Sequence, residues 1–554
     1  MIFRKNPWNS MEERQRQIQG ALYEIPDYSG KVFEELPEIR NLGEMADRLL
    51  KTLIGKHVVI FGDYDADGVM AACIMAKGMR GLAKIAAEIR KTEPGSVEIR
   101  VPNRFEDGYG FQTKHAESIH DSVILLVDNG ICACEAIRAA RENGNTVYVV
   151  DHHEPGAELP EADLIVNPHA VEGGEFDGYC AGGLCYRLMR RMIERCVPYM
   201  APEYRRQATE TLKEFLFMGA LATVADVVPM LYENRVIVKE GMKYIPPRWR
   251  ALCGICLGAE KLSLDEEDIG FRIAPAINAA GRLGTLDSGF LESLCFSPDT
   301  VAAGQKLAAC NIRRRQLTRE GQEAAMQCIR GERILIAQSD SIHQGVAGIV
   351  AGHLAESFRK PVFVFGKVQD GACVGSGRAP EGTLHLKELL DRAAAESEGI
   401  LLRHGGHQGA AGVTVAADRL EELTELLNRL GSYETADAEE LRYDFDLGGE
   451  ENWLELTAIV NSYAPFGEGN PAPLFRYRGR PAPEGIRLLN GGHVKFSAGS
   501  NEILGFGMAD RIGPAGVWYD GVGRLRINRF RDRETAQLQL EALEVGEGKD
   551  GKNV

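Results

Sequence analysis

Four short apolar runs, HVVIF (57–61), VILLVD (123–128), TVYVVD (146–151) and DLIVN (163–167), alternate with helix-compatible segments, among them 69–89 and 134–143. No other feature narrows the fold as far. Near-continuous strands separated by helices predict a parallel α/β sheet buried on both faces. In such sheets ligands sit beyond the carboxyl ends of the strands. Costly groups gather at that edge: Asp63, Asp65 and Asp67 follow the first run, Asp128 ends the second, and Asp151, His152 and His153 close the third.

The cluster FGDYDADGVM opens like an EF-hand loop, Asp-x-Asp-x-Asp-Gly. Calcium of that kind is excluded because the twelfth loop position, where a bidentate Glu is required, is Ile74, and a strand-like run precedes the cluster. A solvated acidic turn remains the alternative for this segment alone. Asp226 stands in the apolar stretch TLKEFLFMGALATVADVVPM (211–230), where a lone buried carboxylate is costly unless paired or metal-bound. Asp65, Asp67, Asp128, His152 and Asp226 together are hard oxygen and borderline nitrogen donors, suited to Mn²⁺ or Mg²⁺ rather than structural zinc. An Asp-x-Asp pair on an extended chain directs both carboxylates one way, so two neighbouring cations could each take one. Two cations about 3.5–4 Å apart activate water and hold phosphoryl oxygens, which is the chemistry of a phosphoester hydrolase.

The 554 residues suffice for two to four domains. No run of eighteen apolar residues and no signal-peptide core are apparent, so a soluble, cytoplasmic protein without membrane contact is expected. Twelve scattered cysteines, Cys73, Cys185 and Cys310 among them, read as reduced thiols. Cys253 and Cys256 form one isolated CxxC, read as packing or surface thiols over a zinc site. A net charge of −16 argues against coating duplex nucleic acid by bulk electrostatics, but a narrow basic groove is compatible with it.

Residues 301–330 are mostly good helix formers and predict a long helix carrying Arg313, Arg314 and Arg315. RILIAQ, GIVAGHLAESF and PVFVF then repeat an α/β pattern over about 330–430. From about 440 the chain is strand-rich, with RYDFDL, LFRYRGR, HVKFS, ILGFGM and RLRINRF, which suggests a small β-barrel; VGEGKDGKNV reads as a frayed tail.

DYDADG, VDNG, DHH and the Asp226 segment, in that order, resemble the four motifs of the DHH phosphoesterase superfamily. INAAGRLG (277–284), GVAGIVAGHLAESFRKPVFVF (345–365), GSGR (375–378), GGHQGAAG (405–412) and PFGEGNPAPLF (465–475) extend the resemblance to its RecJ branch over about 40–545. The resemblance implies an α/β protein with a parallel-sheet DHH catalytic domain (41–235), a connecting region with the long helix (236–330), a second α/β DHH-associated domain (331–432) and a C-terminal OB-like β-barrel (440–545). An N-terminal extension (1–40) and a tail (546–554) complete the chain. It implies a single-strand-specific 5′ to 3′ DNA exonuclease that uses two divalent metal ions, releases 5′-mononucleotides and acts in repair and recombination. Its partners would be single-stranded DNA, single-strand-binding protein and a RecQ-type helicase, and the protein would be a monomer. Two alternatives are a hydrolase of short oligonucleotides or cyclic dinucleotides, which often lacks the barrel, and a catalytically silent replication scaffold, against which stand the filled ligand positions.

By this resemblance Asp65 and Asp67 hold one metal each, Asp128 bridges, and His152 with Asp226 completes the second site. Asp63 is a further ligand or an acceptor behind the ligands, Asp151 orients His152, and His153 meets the scissile phosphate. Several relatives have a histidine four residues before the Asp-x-Asp pair, where this chain has Phe61, which would loosen the first metal. Arg282, after a flexible Asn-Ala-Ala-Gly stretch, would fork onto a phosphate or form a domain-interface salt bridge. Arg378 and His407 sit among glycines that allow close approach to phosphate; Gly405 and Gly406 equally suit a tight turn. His343, His353 and His404 are peripheral. Phe475, Tyr477, Lys495 and Phe496, interleaved with arginines, form either a single-strand platform or an ordinary barrel core. The domains are expected to surround a channel too narrow for duplex.

Overall fold

A computed structural model describes residues 2–19, 39–170, 176–397, 399–432, 440–449, 451–482, 485–499, 501–514, 517–530 and 533–546. The tail expected beyond 546 lies outside them.

The catalytic domain is built on five parallel strands: β1 (His57–Phe61), β2 (Ser96–Arg100), β3 (Val123–Val127), β4 (Thr146–Val150) and β5 (Leu164–Val166), in the spatial order β2-β1-β3-β4-β5. Four match the apolar runs. The fifth, SVEIR, is an edge strand whose alternate residues face solvent, so it lacks the continuous apolar signature of a strand buried on both faces. Helices α1 (Ala66–Arg90), α2 (Ala181–Cys196) and α3 (Pro202–Ala225) pack together, and their apolar faces join the strands in one core that includes Val58, Ile74, Leu125, Leu184 and Phe217.

Two further helices matter for the site. Helix α4 (Ala274–Arg282) follows a short π-helical turn, and α5 (Val301–Cys328) is a single helix of 28 residues, about 42 Å at 1.5 Å per residue. It packs on α4 at one end and on the helix Ala347–Phe358 of the next domain at the other, buried there by Leu317 and Ala325. That domain holds a mixed sheet in the order Leu401–Gly406, Ala410–Ala416, Ala372–Arg378, Val362–Gln369, Leu335–Gln338.

The third domain is a seven-stranded sheet whose buried core includes Trp453, Phe496 and Leu538. The N-terminal segment belongs with it: Ile2–Lys5 pairs with Glu440–Tyr443, and the buried guanidinium of Arg14 adjoins Asp444 and donates to the Pro471 carbonyl. Among the described residues no helix is long and apolar enough to cross a membrane.

Two expectations are corrected here. Phe475, Tyr477 and Phe496 are 5%, 8% and 2% exposed and lie in the barrel core, while Lys495 pairs with Glu502 at 2.5 Å. They do not form a stacking platform, because strand alternation sends the aromatics inward and the charges outward. Cys73 and Cys295, on α1 and the helix Ser288–Phe296, are joined as a disulfide between fully buried positions 222 residues apart. No local spacing announces such a pair. Cys253 and Cys256 are free.

Phe496→Ala should therefore destabilise the third domain by about 3–5 kcal/mol, the usual cost of emptying a buried aromatic site. Denaturant titration followed by intrinsic fluorescence measures this. An unchanged midpoint with weakened single-strand binding would restore the platform reading.

Candidate metal centre

The acidic segment turns from strand to helix. Asp65 has extended backbone and caps α1, its Oδ1 accepting from the Gly68 N–H at 3.0 Å, while Asp67 is already helical. The Asp-x-Asp pair is thus not on an extended chain, and its carboxylates diverge. Asp67 reaches back to the start of α2, where its oxygens accept from the Ala181 and Gly182 N–H groups at 2.8 and 2.7 Å. Free N–H groups and the positive helix end favour a carboxylate at both places.

Helix α4 backs this turn. Asn278 Oδ1 accepts from the Ala66 N–H at 2.7 Å, and a Cβ on Gly281 would come within 2.2 Å of the Tyr64 carbonyl oxygen. The Asn-Ala-Ala-Gly stretch is therefore helical and close-packed, not flexible; its alanines are strong helix formers. It delivers Arg282 beside the acidic turn.

Asp128 follows β3 in the left-handed region, φ 61°, and Asp226 caps the end of α3. His152 Nε2 lies 3.6 Å from Asp67, 3.3 Å from Asp128 and 3.6 Å from Asp226. Two adjoining sets of potential ligand atoms result, each within 4.8 Å: Asp63, Asp65 and Asp128; and Asp67, His152 and Asp226. Asp63, whose role the sequence left between ligand and supporting acceptor, belongs to the first. A third grouping joins Asp128, His152 and His153. Phe61, in place of the relatives' histidine, is buried against Phe111 and His115.

The donors fit a pair of divalent cations. Both oxygens of Asp128, Oδ1 of Asp63 and Nε2 of His152 are buried without a hydrogen-bond partner. Burial, then the neighbouring carboxylates, raise Asp128 well above the ordinary range; burial and Asp65 raise Asp63 to about 8, and burial with Asp67 raises Asp226 to about 8. Burial holds His152 below its usual value, in the neutral form that ligates. Two carboxylates 4 Å apart repel by about 4 kcal/mol at an effective dielectric of 20. A charge-assisted hydrogen bond returns about 1.5–3 kcal/mol. The backbone donors around Asp65 and Asp67 leave this cluster short of positive charge.

His153 is different. Its Nδ1 is 2.8 Å from Asp151 Oδ1, and Tyr109 Oη is 3.1 Å from its Nε2. Asp151 thus aligns the His153 ring, and gives His152 only a backbone acceptor, at 2.8 Å; the orienting role expected of Asp151 passes from one histidine to the other. Burial opposes the His153 charge, but the Asp151 hydrogen bond and charge prevail and carry it to about 9.

Beside the carboxylates lies a basic group. Burial, then Arg104, Arg378 and Arg314, lowers Arg282 to about 10, a crowding of like charges that an anion would relieve. Gly375 and Gly377 leave room for the rings of Phe365 and Phe363 rather than for phosphate, and a Cβ on Gly406 would strike the Ala410 carbonyl, so Gly406 serves a turn. A cavity of about 830 Å³ runs from Asp151, His153 and Tyr109 to Gly406 and His407 of the second domain. His404 pairs with Asp391, His353 with Gln322, and His343 packs on Phe105. Tyr109, Arg104 and Asn278 escaped sequence reasoning; the polar and glycine-rich NRFEDGYG around the first two was the available signal.

A parallel sheet with aspartates and a histidine converging at its carboxyl edge, joined by a long helix to a glycine-rich second domain, defines a metal-dependent phosphoesterase of the DHH class. Family profiles agree: the DHH family N-terminal domain matches residues 57–220, the DHHA1 domain 331–431 and the RecJ OB domain 443–542. The single-stranded-DNA-specific exonuclease RecJ of Dickeya dadantii is 32% identical over 572 residues, covering 96% of this chain and 93% of the relative; that of Escherichia coli is 31% identical, covering 88% and 87%. The crystal structure of RecJ in complex with Mn²⁺ from Thermus thermophilus superposes with a TM-score of 0.77 at 25% identity, over all of this chain and 81% of the other. The chain belongs to the RecJ family.

The raised carboxylates have a thermodynamic consequence. Unfolded Asp titrates near 3.8, whereas folded, metal-free Asp63 and Asp226 titrate near 8, so their contribution is full below pH 4 and is lost as pH rises through 8. In EDTA the Tm should fall between pH 5 and 8.5, and the rise caused by Mn²⁺ should be larger at pH 8.5 than at pH 6. Differential scanning fluorimetry reads both. A Mn²⁺ shift that shrinks with pH would contradict the assignment.

Proposed function

We propose that this chain is a single-stranded-DNA-specific exonuclease that degrades 5′ to 3′, releases 5′-mononucleotides and serves DNA repair and recombination. The observation that carries the reading is the pair of adjoining carboxylate and imidazole sets, with Arg282 and its neighbouring arginines close to Asp65. Family membership and the names of the relatives support the substrate. The OB domain favours a polymeric strand over a dinucleotide, and the filled ligand positions argue against a silent scaffold. We infer further that the protein acts in the cytoplasm as a monomer, beside single-strand-binding protein and a RecQ-type helicase.

In this reading Asp63, Asp65 and Asp128 hold one divalent cation, Mn²⁺ or Mg²⁺, and Asp67, His152 and Asp226 hold another, with Asp128 between them. When bound, such a pair supplies an activated water and charge against the phosphoryl oxygens for in-line displacement. The residues do the rest. His153, braced by Asp151 and beside Tyr109, would meet the scissile phosphate. Arg282 and Arg378, with Arg104 beside them, grip the strand's phosphates as forked donors, and His407 with the Gly405–Gly406 turn closes the far end of the cavity. Unfavourable crowding among these arginines in the free protein becomes binding energy when phosphate enters.

End-labelled single strands test the proposal. A 5′-labelled strand should release its label as mononucleotide from the earliest times, a 3′-labelled strand should shorten progressively, and EDTA should stop both. Blunt duplex should resist. Asp128→Ala should lower turnover by more than about 100-fold, beyond the loss seen for mere supporting partners of metal ligands. Full activity in that variant or under chelation, or release of label from 3′ ends first, would refute the reading.

A further inference from the structure

A loop of the third domain reaches the segment that follows Asp226. Asp226 ends α3, and the chain then turns at Val227, whose φ is 56°. A β-branched residue persists in that region only where its surroundings hold it. Three residues on, the Met230 N–H donates to the Glu468 carbonyl at 2.6 Å, and the Met230 side chain is buried beneath Gly467. A Cβ on Gly467 would come within 3.2 Å of Met230 Cβ and Cε. Glu468 and Gly467 belong to PFGEGN, the segment 465–470.

That loop is rigid. Gly467 and Asn470 exchange backbone hydrogen bonds at 3.0 and 3.1 Å, and Asn470 Nδ2 donates to the Pro465 carbonyl at 2.8 Å. It is also clamped from the catalytic side: Arg235 forks onto the carbonyls of Pro465, Tyr463 and Ala464 at 2.9, 2.8 and 3.2 Å, and Glu266 accepts from the Phe466 N–H at 3.0 Å. Inside the catalytic domain Asn234 Nδ2 donates to the carbonyls of Pro229 and Gly178, at 3.0 and 2.6 Å, and Met230 and Val228 pack into the catalytic core. The loop therefore adds, from outside the catalytic domain, a backbone hydrogen bond and a close packing contact at Met230, on the exit from the Asp226 turn.

We propose that the loop 465–470 and its anchor Arg235 are positioning elements for Asp226, so that docking of the OB domain completes the second cation set. The inference rests on the two-cation reading above. It changes what the OB domain is for: hydrolysis of substrates too short to reach that domain still depends on it. It also accounts for a loop of glycines and backbone contacts in a domain whose other task would be to grip a strand.

The test uses the full chain, with Arg235→Ala and the milder Gly467→Ala, and Arg235→Lys as the variant that keeps a donor. Mn²⁺ binding is followed by electron paramagnetic resonance of the free ion, and hydrolysis is compared on a 5′-phosphorylated dinucleotide and a 20-mer. The first Mn²⁺ should bind as in the unmodified protein and the second roughly tenfold more weakly, as when a supporting partner of a ligand is lost. Hydrolysis should fall by the same factor on both substrates, with partial recovery in Arg235→Lys. An unaltered Mn²⁺ isotherm would overturn the proposal, whether accompanied by loss confined to the 20-mer, as for a strand-gripping loop, or by a lower melting temperature alone, as for a structural contact. Failure of the unmodified chain to bind two Mn²⁺ ions would overturn the metal reading and the proposal together.

Discussion

Mutual repulsion of buried carboxylates is the constraint around which this molecule is built. Asp63, Asp67, Asp128 and Asp226 converge from the ends of two strands and both ends of helices, and burial with mutual charge raises all four. The fold counters this only in part. Asp65 caps α1 and Asp67 takes two N–H groups at the start of α2, yet Asp128 has no hydrogen-bond partner for either oxygen. What remains is a demand for positive charge at a defined place, which the proposed pair of divalent cations would answer.

Holding such a cluster together requires support from outside the sheet. Helix α4 presses Asn278 and Gly281 against the acidic turn, and the OB-domain loop presses Glu468 and Gly467 against the segment after Asp226. The site is thus braced by the linker on one side and the third domain on the other. The same α4 that steadies the carboxylates carries Arg282, so in the proposed function cation binding and phosphate binding would share one element. This economy explains why Asn278 and Arg282 occur within a few residues of each other.

Much of this was legible in the residues. The four apolar runs announced the buried strands because fully covered parallel strands have no solvent face to encode, and the aspartates and histidines at their ends announced the site. The half-exposed edge strand Ser96–Arg100 carried no comparable signal. Aromatic and basic residues alternating at 475–477 and 495–496 could not reveal which face was inside; tertiary packing of one face decides it, and the aromatics went to the core. The reading of Asn-Ala-Ala-Gly as flexible gave glycine more weight than its alanine neighbours, whereas Gly281 answers to close packing against Tyr64. Asp151 serves His153 rather than His152, a choice between adjacent rings that spacing alone cannot make. Cys73 and Cys295 meet only through tertiary packing.

The central claim, that two carboxylate-rich sets hold two cations side by side, is tested most directly by anomalous diffraction from crystals soaked in Mn²⁺. Two peaks are predicted, one enclosed by Asp63, Asp65 and Asp128 and one by Asp67, His152 and Asp226, about 3.5–4 Å apart as in other paired sites. A single peak, or manganese bound elsewhere with both sets vacant, would contradict the account.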